Sequence, residues 1–442
     1  MMPLFGLTSA AILLLKRARC RRQFATSTNK LPFLLQSFQK NIHQQSSLCI
    51  CTGNQAGDLD SIVSAIGIAY LKNALNTNSN STTLTLPLLP FPRSEFRLRR
   101  DALFLFNLIG FNLDNATNSP LELLFLDDLE TLPNVPVELI LTDHNSRTLQ
   151  HSYLQYAHVV EIIDHHTDSK DHPKVTGKKR NVVSGLGSAC TLVAESLMEA
   201  EEQGLCQLPL DLCVLLMATI ELDSRQWNPS RSGARDRIAY DALRSRLLNI
   251  PIHLDSLYQQ TTSARQDVSG FSYDDLLKLD YKDCGCGVAP MPIKCGIASI
   301  MATYNNINQN TSHADLETSM IKFAKENDKE LNIVIGFFAK EKKSGIKHLI
   351  VCDTNDTVSG LSLSFVEFLQ AVPHSLSVEL KKDPIMTKQT ILQKGVVVQE
   401  TVPLEISKRT YLVQVAGIIS RKALKPITEE WMLSIKHSYG IL

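Results

Sequence analysis

Residues 157–166, "AHVVEIIDHH", combine a short apolar run with three titratable side chains at its end. Valine and isoleucine dominate the run, as they do in a buried β-strand. Asp164, His165 and His166 follow without a spacer. In isolation, a solvated loop would explain these three residues equally well. In an open parallel sheet, however, the carboxyl ends of the strands form the edge where ligands bind, so the stretch predicts a site at such an edge.

The rest of the first half of the chain alternates between apolar runs and amphipathic patterns. Residues 60–75 carry apolar side chains at the i, i+3, i+4, i+7 spacing of a helix, and Asp60 or Ser61 is placed to cap it. Further helices are expected around 94–110, 187–203 and 210–224, and further strands at 46–54, 81–89 and 137–145. The alternation predicts an α/β fold with a parallel sheet and helices on both of its faces.

The chain is long enough for more than one domain, and its polar stretch at 259–275 is a candidate boundary. We expect a metal-binding catalytic domain at 46–262 and a smaller C-terminal α/β substrate-binding domain at 263–442, with the active site in the cleft between them. Residues 1–57 contain no Asp or Glu but seven Lys or Arg. This composition is typical of a mitochondrial transit peptide, which we place at 1–45 as a disordered segment. A cytoplasmic protein with a basic tail is the alternative.

Composition argues against several classes of partner. The 45 basic and 45 acidic residues balance, so no overall field favours a nucleic acid polymer or an anionic membrane. No apolar run reaches the ~18–20 residues that span a bilayer. The ten cysteines lack the spacing of a disulfide or zinc framework, and we expect reduced thiols in an intracellular compartment. The oligomeric state stays open.

Four segments place acids or histidines at the ends of predicted elements. They contribute Asp58 and Asp60 in "GNQAGDLDS", Asp143 and His144 in "LTDHN", Asp164, His165 and His166 in "IIDHH", and Asp223 in "ATIELDS". Crowded carboxylates repel one another unless protons or cations neutralise them. Carboxylates mixed with imidazoles suit two Mg²⁺ or Mn²⁺ ions, with Co²⁺ as a further candidate. Two ions ~3.5–4 Å apart can share a hydroxide that attacks phosphorus in line.

In order and spacing, these segments resemble the four motifs of the DHH phosphoesterase superfamily. The later "GIISRKALKP", residues 417–426, resembles the Ser-Arg-Lys stretch of the second domain in family II inorganic pyrophosphatases, exopolyphosphatases and prune-type proteins. The resemblance covers roughly residues 46–442, and the set of motifs is specific.

The resemblance implies a role for each matching residue. The metal ligands would be Asp58, Asp60, Asp143, His165 and Asp223, with Asp143 bridging the two ions. The catalytic and substrate-binding residues would be His144, His166, Arg421 and Lys422. The two basic residues would come from the second domain to bind phosphate, and Asp164 would orient a neighbouring imidazole or loop.

One position departs from the family II pyrophosphatases, which carry His four residues before the first Asp. Asn54 stands there, as in the exopolyphosphatase and prune branch, and it is a further candidate for substrate binding. Because an amide oxygen is a weaker ligand for a transition metal than an imidazole, Asn54 favours the use of Mg²⁺.

The expected function is a metal-dependent exopolyphosphatase that releases orthophosphate from the end of linear polyphosphate by attack of a metal-bridged hydroxide. Pyrophosphate or a nucleotide, such as a cyclic monophosphate or a nucleoside tetraphosphate, is the alternative substrate, since pocket size makes that choice. A nanoRNA or single-strand exonuclease is disfavoured, because the chain lacks the glycine-rich, His-ending motif of those relatives. A scaffolding protein of this fold would be expected to have lost metal ligands, whereas every acid of the set is present.

Overall fold

In the computed structural model, the chain divides into two compact units, Met1–Asp267 and Val268–Leu442. The structure describes residues 31, 35, 41–79, 83–111, 123–147, 151–248, 250, 252–284, 293–308, 312–326, 331–344, 347–355, 360–375, 397–398, 404–416 and 421–438. The predicted transit segment lies mostly outside these residues, and so do the side chains of Arg421 and Lys422. None of the helices in the described ranges has the length and apolar character that crossing a membrane requires.

The first unit contains a sheet and a set of helices that follow the predicted alternation. Its strands are β1 (Leu48–Thr52), β2 (Leu84–Leu89), β3 (Leu124–Phe125), β4 (Val137–Thr142), β5 (His158–Asp164) and β6 (Arg180–Val182). Its helices are α1 (Leu59–Ser79), α2 (Arg100–Leu108), α3 (Ala189–Glu202), α4 (Leu210–Asp223), α5 (Ala234–Arg246) and α6 (Leu254–Gln266).

The described strands of the first unit form one parallel sheet in the order β3-β2-β1-β4-β5-β6. The chain leaves β1 towards β2 on one side, while β4 pairs with β1 on the other. The boundary between β1 and β4 is therefore a topological switch point, where open α/β sheets bind their ligands beyond the carboxyl ends of the strands. The predicted acids that follow β1 and β4 lie at this point.

Side chains of successive strand residues point to opposite faces of the first sheet, and each face is covered. On one face, Cys49 and Cys51 of β1 join a buried cluster with α1, α3 and α4. On the other face, Leu48 and Ile50 pack with residues of short 3₁₀ helices, among them Leu129. The prediction of a parallel α/β sheet with helices on both faces is confirmed.

Two local predictions in this unit need correction. Helix α1 is capped by Asp58, whose Oδ1 accepts the backbone N–H of Ser61 at 3.1 Å, and Asp60 and Ser61 lie inside the helix. The helix predicted around 94–110 is split into a 3₁₀ helix, Arg93–Leu98, and α2. The periodicity of apolar residues does not distinguish these cases, because a cap depends on which side chain turns back to the backbone.

The second unit has its own sheet with helices on both faces. Its strands are β7 (Tyr281–Cys284), β8 (Cys295–Thr303), β9 (Ile333–Ala339), β10 (Lys347–Asp353), β11 (Val397–Val398), β12 (Leu404–Ser407) and β13 (Thr410–Ala416). Its helices are α7 (Tyr273–Leu279), α8 (Tyr304–Asn308), α9 (His313–Lys325), α10 (Leu361–Ser375) and α11 (Arg421–Ser438). Within the described ranges, the strand order is β11-β13-β10-β9-β8-β7, with β12 also paired to β13. The sheet is mixed: β8 and β9 are parallel, and the other described pairs are antiparallel.

Candidate metal centre at the edge of the first sheet

Asp143 occupies the residue directly after β4 and is 3% exposed. Its backbone has φ 60°, in the left-handed region that few residues other than glycine adopt, and its N–H donates to the carbonyl of Ile163 at 2.9 Å. Its Oδ2 accepts the hydroxyl of Ser61 at 2.7 Å and the side-chain amide of Asn54 at 2.5 Å. Strain of this kind is concentrated at functional sites. The fold thus holds this carboxylate in one orientation.

Asn54 and Ser61 form a small network that supports Asp143. The backbone N–H of Asn54 donates to Ser61 Oγ at 3.0 Å, and Asn54 Oδ1 accepts the N–H of Ala56 at 2.9 Å. The amide oxygen of Asn54 is therefore bonded within the loop after β1, and its amide nitrogen is bonded to Asp143. The geometry gives Asn54 a positioning role, while its predicted contact with substrate stays a prediction.

Asp60 is held by the start of α3. Its Oδ1 accepts the hydroxyl of Ser188 at 2.7 Å and the N–H of Cys190 at 3.0 Å, and its Oδ2 accepts the N–H of Ala189 at 2.7 Å. The N-terminus of a helix carries partial positive charge and unpaired N–H groups, which stabilise an ionised carboxylate. The three donors therefore fix the orientation of this buried side chain.

His165 directs one ring nitrogen at two of these acids. Its Nδ1 lies 2.9 Å from the carbonyl oxygen of Leu186, which can only accept, so Nδ1 carries the proton. Its Nε2 lies 3.2 Å from Asp143 Oδ1 and 3.7 Å from Asp60 Oδ2. Burial by itself lowers the pKa of His165, but the hydrogen bond to Asp143 and the charge of Asp60 raise it well above its usual value. The neutral ring would present a lone pair to a cation between these groups.

His166 lies beside His165 and is oriented by Asp164. Its Nδ1 is 2.8 Å from Asp164 Oδ1 and 3.7 Å from Asp143 Oδ1. Although burial raises the pKa of Asp164, hydrogen bonds from His166 and Asn145 lower it below the usual value, so Asp164 is a carboxylate and His166 Nδ1 donates. The predicted role of Asp164, orientation of an imidazole, agrees with this geometry.

The predicted acids perturb one another's protonation. Burial raises the pKa of Asp143 to about 6, and the charges of Asp60 and Asp58 contribute to the rise. Burial also raises the pKa of Asp223 to about 8, against the opposing effect of Arg265, whose Nη1 lies 3.3 Å from Asp223 Oδ1. A bound cation would lower the pKa values of both Asp143 and Asp223, because it would stabilise their ionised forms.

The donor set fits a divalent cation. In the described part of the chain, Asp143, His165 and His166 each offer a ligand atom, and these three atoms lie within 4.8 Å of one another. Oxygen and imidazole ligands without thiolate suit Mg²⁺, Mn²⁺ or Co²⁺ rather than a sulfur-binding metal. The sequence assigned His166 to the substrate, and the structure also brings it within reach of the metal ligands.

The remaining predicted site residues differ in the kind of contact that the structure gives them. His144 donates from Nδ1 to the carbonyl of Thr142, at 2.8 Å, which leaves Nε2 without the proton in the neutral ring. The charge of Asp58 contributes to the raised pKa values of both Asp143 and Asp223, and the charge of Asp143 contributes to that of Asp223. Arg421 begins α11, and the side chains of Arg421 and Lys422 lie outside the described residues.

Sequence reasoning missed several groups that hold the site together. Arg99 is buried and donates to the backbone carbonyls of Ala56 and Gly57. Its guanidinium carbon lies over the ring of Phe91, 4.4 Å from the ring centroid. It therefore supports the loop that carries Asp58. Arg99, Ser188 and Arg265 come from segments outside the acidic motifs, whereas Asn145 is the last residue of "LTDHN" and is the only one of these groups with a signal in the sequence.

Comparison with known proteins identifies both units. The description "DHH family, N-terminal domain" matches residues 48–220, and "DHHA2 domain" matches residues 259–430. A Schizosaccharomyces pombe protein named "Putative exopolyphosphatase" is 26% identical over 330 residues, which cover 73% of this chain and 80% of the relative. "Exopolyphosphatase PRUNE1" of Mus musculus is 24% identical over 364 residues, which cover 81% of this chain and 73% of that relative.

Among solved structures, a Methanococcus jannaschii protein described as a putative family II inorganic pyrophosphatase aligns with a TM-score of 0.48 and 16% identity. The alignment covers 87% of this chain and 99% of that one. The two matched domains together span most of the chain, and the acids and histidines of the first one converge as described above. The chain therefore belongs to the DHH phosphoesterase family, with a DHHA2 domain after its N-terminal domain.

Proposed function

We propose that this protein is a metal-dependent exopolyphosphatase that releases orthophosphate from the end of linear polyphosphate. The observation that carries the proposal is the convergence of Asp143, His165 and His166 within 4.8 Å at the switch point of a parallel sheet. The names of the relatives, exopolyphosphatases at 24–26% identity, favour polyphosphate over other phosphoanhydrides.

The proposed ligands are Asp58, Asp60, Asp143, His165 and Asp223, which would hold two divalent ions, Mg²⁺ or Mn²⁺. Bound cations of this kind acidify water and neutralise the charge of phosphoryl oxygens. Support for a cation comes from the burial of Asp143 and Asp223 near other acids, which raises the pKa values of both carboxyls.

The chain's own residues supply orientation and proton transfer. Asp164 accepts from His166 Nδ1, so the Nε2–H of the imidazolium form of His166 would give a proton to the leaving phosphate and leave the neutral ring hydrogen-bonded to Asp164. His144, fixed through Nδ1, is proposed to accept or donate a hydrogen bond to phosphate through Nε2. Because phosphoryl transfer has a loose transition state, positioning and charge stabilisation are the main contributions a protein makes.

Arg421 and Lys422 of the DHHA2 domain are proposed to bind phosphate, by resemblance to the Ser-Arg-Lys stretch of that domain. A guanidinium can bind two phosphate oxygens at once, and an ammonium adds a compact charge. Replacing Arg421 by Ala should raise the KM for polyphosphate far more than it changes the affinity for Mn²⁺.

The substrate is tested by offering long polyphosphate, tripolyphosphate, pyrophosphate and a cyclic nucleotide to the purified protein with Mn²⁺ and with Mg²⁺. Release of orthophosphate from long chains and tripolyphosphate supports the proposal. Activity on pyrophosphate alone, or on the nucleotide alone, refutes it in favour of those substrates. The variants Asp143→Ala and His165→Ala serve as controls, since activity that persists in either comes from another source.

We also propose a mitochondrial location, on the basis of the basic, acid-poor composition of residues 1–57. Sequencing the N-terminus of the mature protein tests this: removal of a leading segment supports import, and an intact N-terminus favours the cytoplasm.

A further inference from the structure

The turn between α4 and α5 carries two arginines, Arg225 and Arg231, for which no role has been assigned above. The turn begins directly after Asp223, and its residues Arg225, Gln226 and Trp227 have φ of 48°, 51° and 68°. Three consecutive residues other than glycine in the left-handed region are costly, and such strain persists only where the surrounding structure enforces it. Contacts with the rest of the first unit must therefore hold this turn in its strained backbone conformation.

The anchor is the segment before α3. A Cβ atom on Gly187 would lie 2.8 Å from the carbonyl oxygen of Arg231, so the two backbones approach each other more closely than any other residue at 187 allows. Buried Asp236 accepts the N–H of Gly187 at 2.8 Å and that of Gly233 at 2.7 Å, which fastens the turn to this segment on both sides.

The same segment supports two of the proposed metal ligands. The residue before Gly187 is Leu186, whose carbonyl fixes the ring of His165, and the residue after it is Ser188, whose hydroxyl binds Asp60. Through Gly187 and its two neighbours, the backbone of Arg231 is thus fixed relative to the proposed ligands His165 and Asp60.

The charges around Arg231 point to an anion. Arg265 forms ion pairs with Asp101, at 3.0 Å, and with Asp223, at 3.3 Å. Arg231 is partly buried, and burial lowers its pKa; Arg225 and Arg265 lower it further, while Asp223 raises it. Three arginines thus lie near one another beside Asp223, and Arg265 is already paired with that acid, so a bound anion would be stabilised by Arg231 and Arg225.

On the basis of the proposed phosphoanhydride hydrolysis, we propose that Arg231 is a substrate-binding residue of the first unit, whose guanidinium binds the phosphoryl group at the metal centre. Arg225 adds positive charge for the adjoining phosphate. A guanidinium stays charged and offers two parallel N–H donors to phosphate oxygens. This contact would come from the first unit, independently of the arginine and lysine proposed in the DHHA2 domain.

The test is Arg231→Gln in the full-length protein loaded with Mn²⁺. We expect the KM for tripolyphosphate and the dissociation constant of orthophosphate, measured by calorimetry, each to rise about 10- to 100-fold, as for loss of a charge-assisted hydrogen bond. The affinity for Mn²⁺, measured by the electron paramagnetic resonance of the free ion, should stay within about twofold. Arg231→Lys should recover part of the loss. The matched control is Arg235→Gln, which removes an exposed arginine paired with Glu195 from the same region.

Two results overturn the assignment. One is an unchanged dissociation constant for orthophosphate in Arg231→Gln. The other is a loss of phosphate binding that follows an equal loss of Mn²⁺ affinity, because Arg231 would then act through Asp223 alone. If the wild-type protein hydrolyses no phosphoanhydride, the proposed function fails, while orthophosphate calorimetry still decides whether Arg231 binds phosphate.

Discussion

Replacing Ser61 by Ala should perturb the candidate metal centre without removing a proposed ligand. The hydroxyl of Ser61 donates to Asp143 at 2.7 Å and accepts the backbone N–H of Asn54 at 3.0 Å. The variant loses the donor to Asp143 and leaves the N–H of Asn54 without this acceptor. Both effects act on a carboxylate whose pKa burial has already raised to about 6.

The expected changes in the pKa of Asp143 and in Mn²⁺ affinity follow from the free energy of the lost hydrogen bond. A hydrogen bond to a charged group contributes about 1.5–3 kcal/mol, and one pKa unit corresponds to about 1.4 kcal/mol, so the pKa of Asp143 should rise by about one to two units. With a pKa of about 7–8, Asp143 would be about half to nine-tenths protonated at pH 7, and a cation would have to displace that proton. The apparent affinity for Mn²⁺ should fall about 2- to 10-fold at pH 7, and the deficit should disappear at pH 9.

The assay is titration with Mn²⁺ at pH 7 and pH 9, with free Mn²⁺ measured by electron paramagnetic resonance and with unfolding followed in parallel. Ser64→Ala is the matched control, because it removes a buried hydroxyl from the same helix that donates to the carbonyl of Ser61 at 3.3 Å. Equal affinity of Ser61→Ala and wild type at pH 7 would refute the reasoning. A deficit of the same size at pH 9 would also refute it, since proton competition could not then be the cause.

Two further predictions concern pH and the loop after β1. Burial and neighbouring acids raise the pKa values of Asp143 and Asp223 above their unfolded values, so these two carboxyls bind more protons in the metal-free folded state than in the unfolded state between about pH 4 and pH 8. The metal-free protein should lose stability as the pH rises through this window, and Mn²⁺ should raise Tm more at pH 8 than at pH 5; an equal gain at both would contradict the proposed coupling. Gly53→Ala would place a Cβ atom 2.3 Å from Cβ of Ser61, so the urea midpoint should drop by an amount equivalent to at least about 1–3 kcal/mol, and an unchanged midpoint would show that the loop can move.

The fold was predictable because its signals are local. Short apolar runs that end in "GNQAGDLDS", "LTDHN" and "IIDHH" mark buried strands, and the intervening helical periodicity requires parallel strands with crossovers. The capping of α1 was not predictable from this pattern, since Asp58, Asp60 and Ser61 all suit a cap and only backbone geometry selects Asp58.

The sequence by itself determined the set of candidate ligands, because carboxylates and imidazoles at strand ends carry their chemistry in their residue types, whatever their neighbours are. Only the tertiary structure decided how these groups are supported. Ser188 comes to Asp60 from 128 residues away, Asn54 reaches Asp143 across 89, and Arg265 lies beside Asp223 across 42. Such contacts depend on the order of parallel strands and on the packing of α3 and α6, which are properties of the whole first unit. No periodicity in one segment encodes them, because each hydrogen bond forms only after distant elements have packed together.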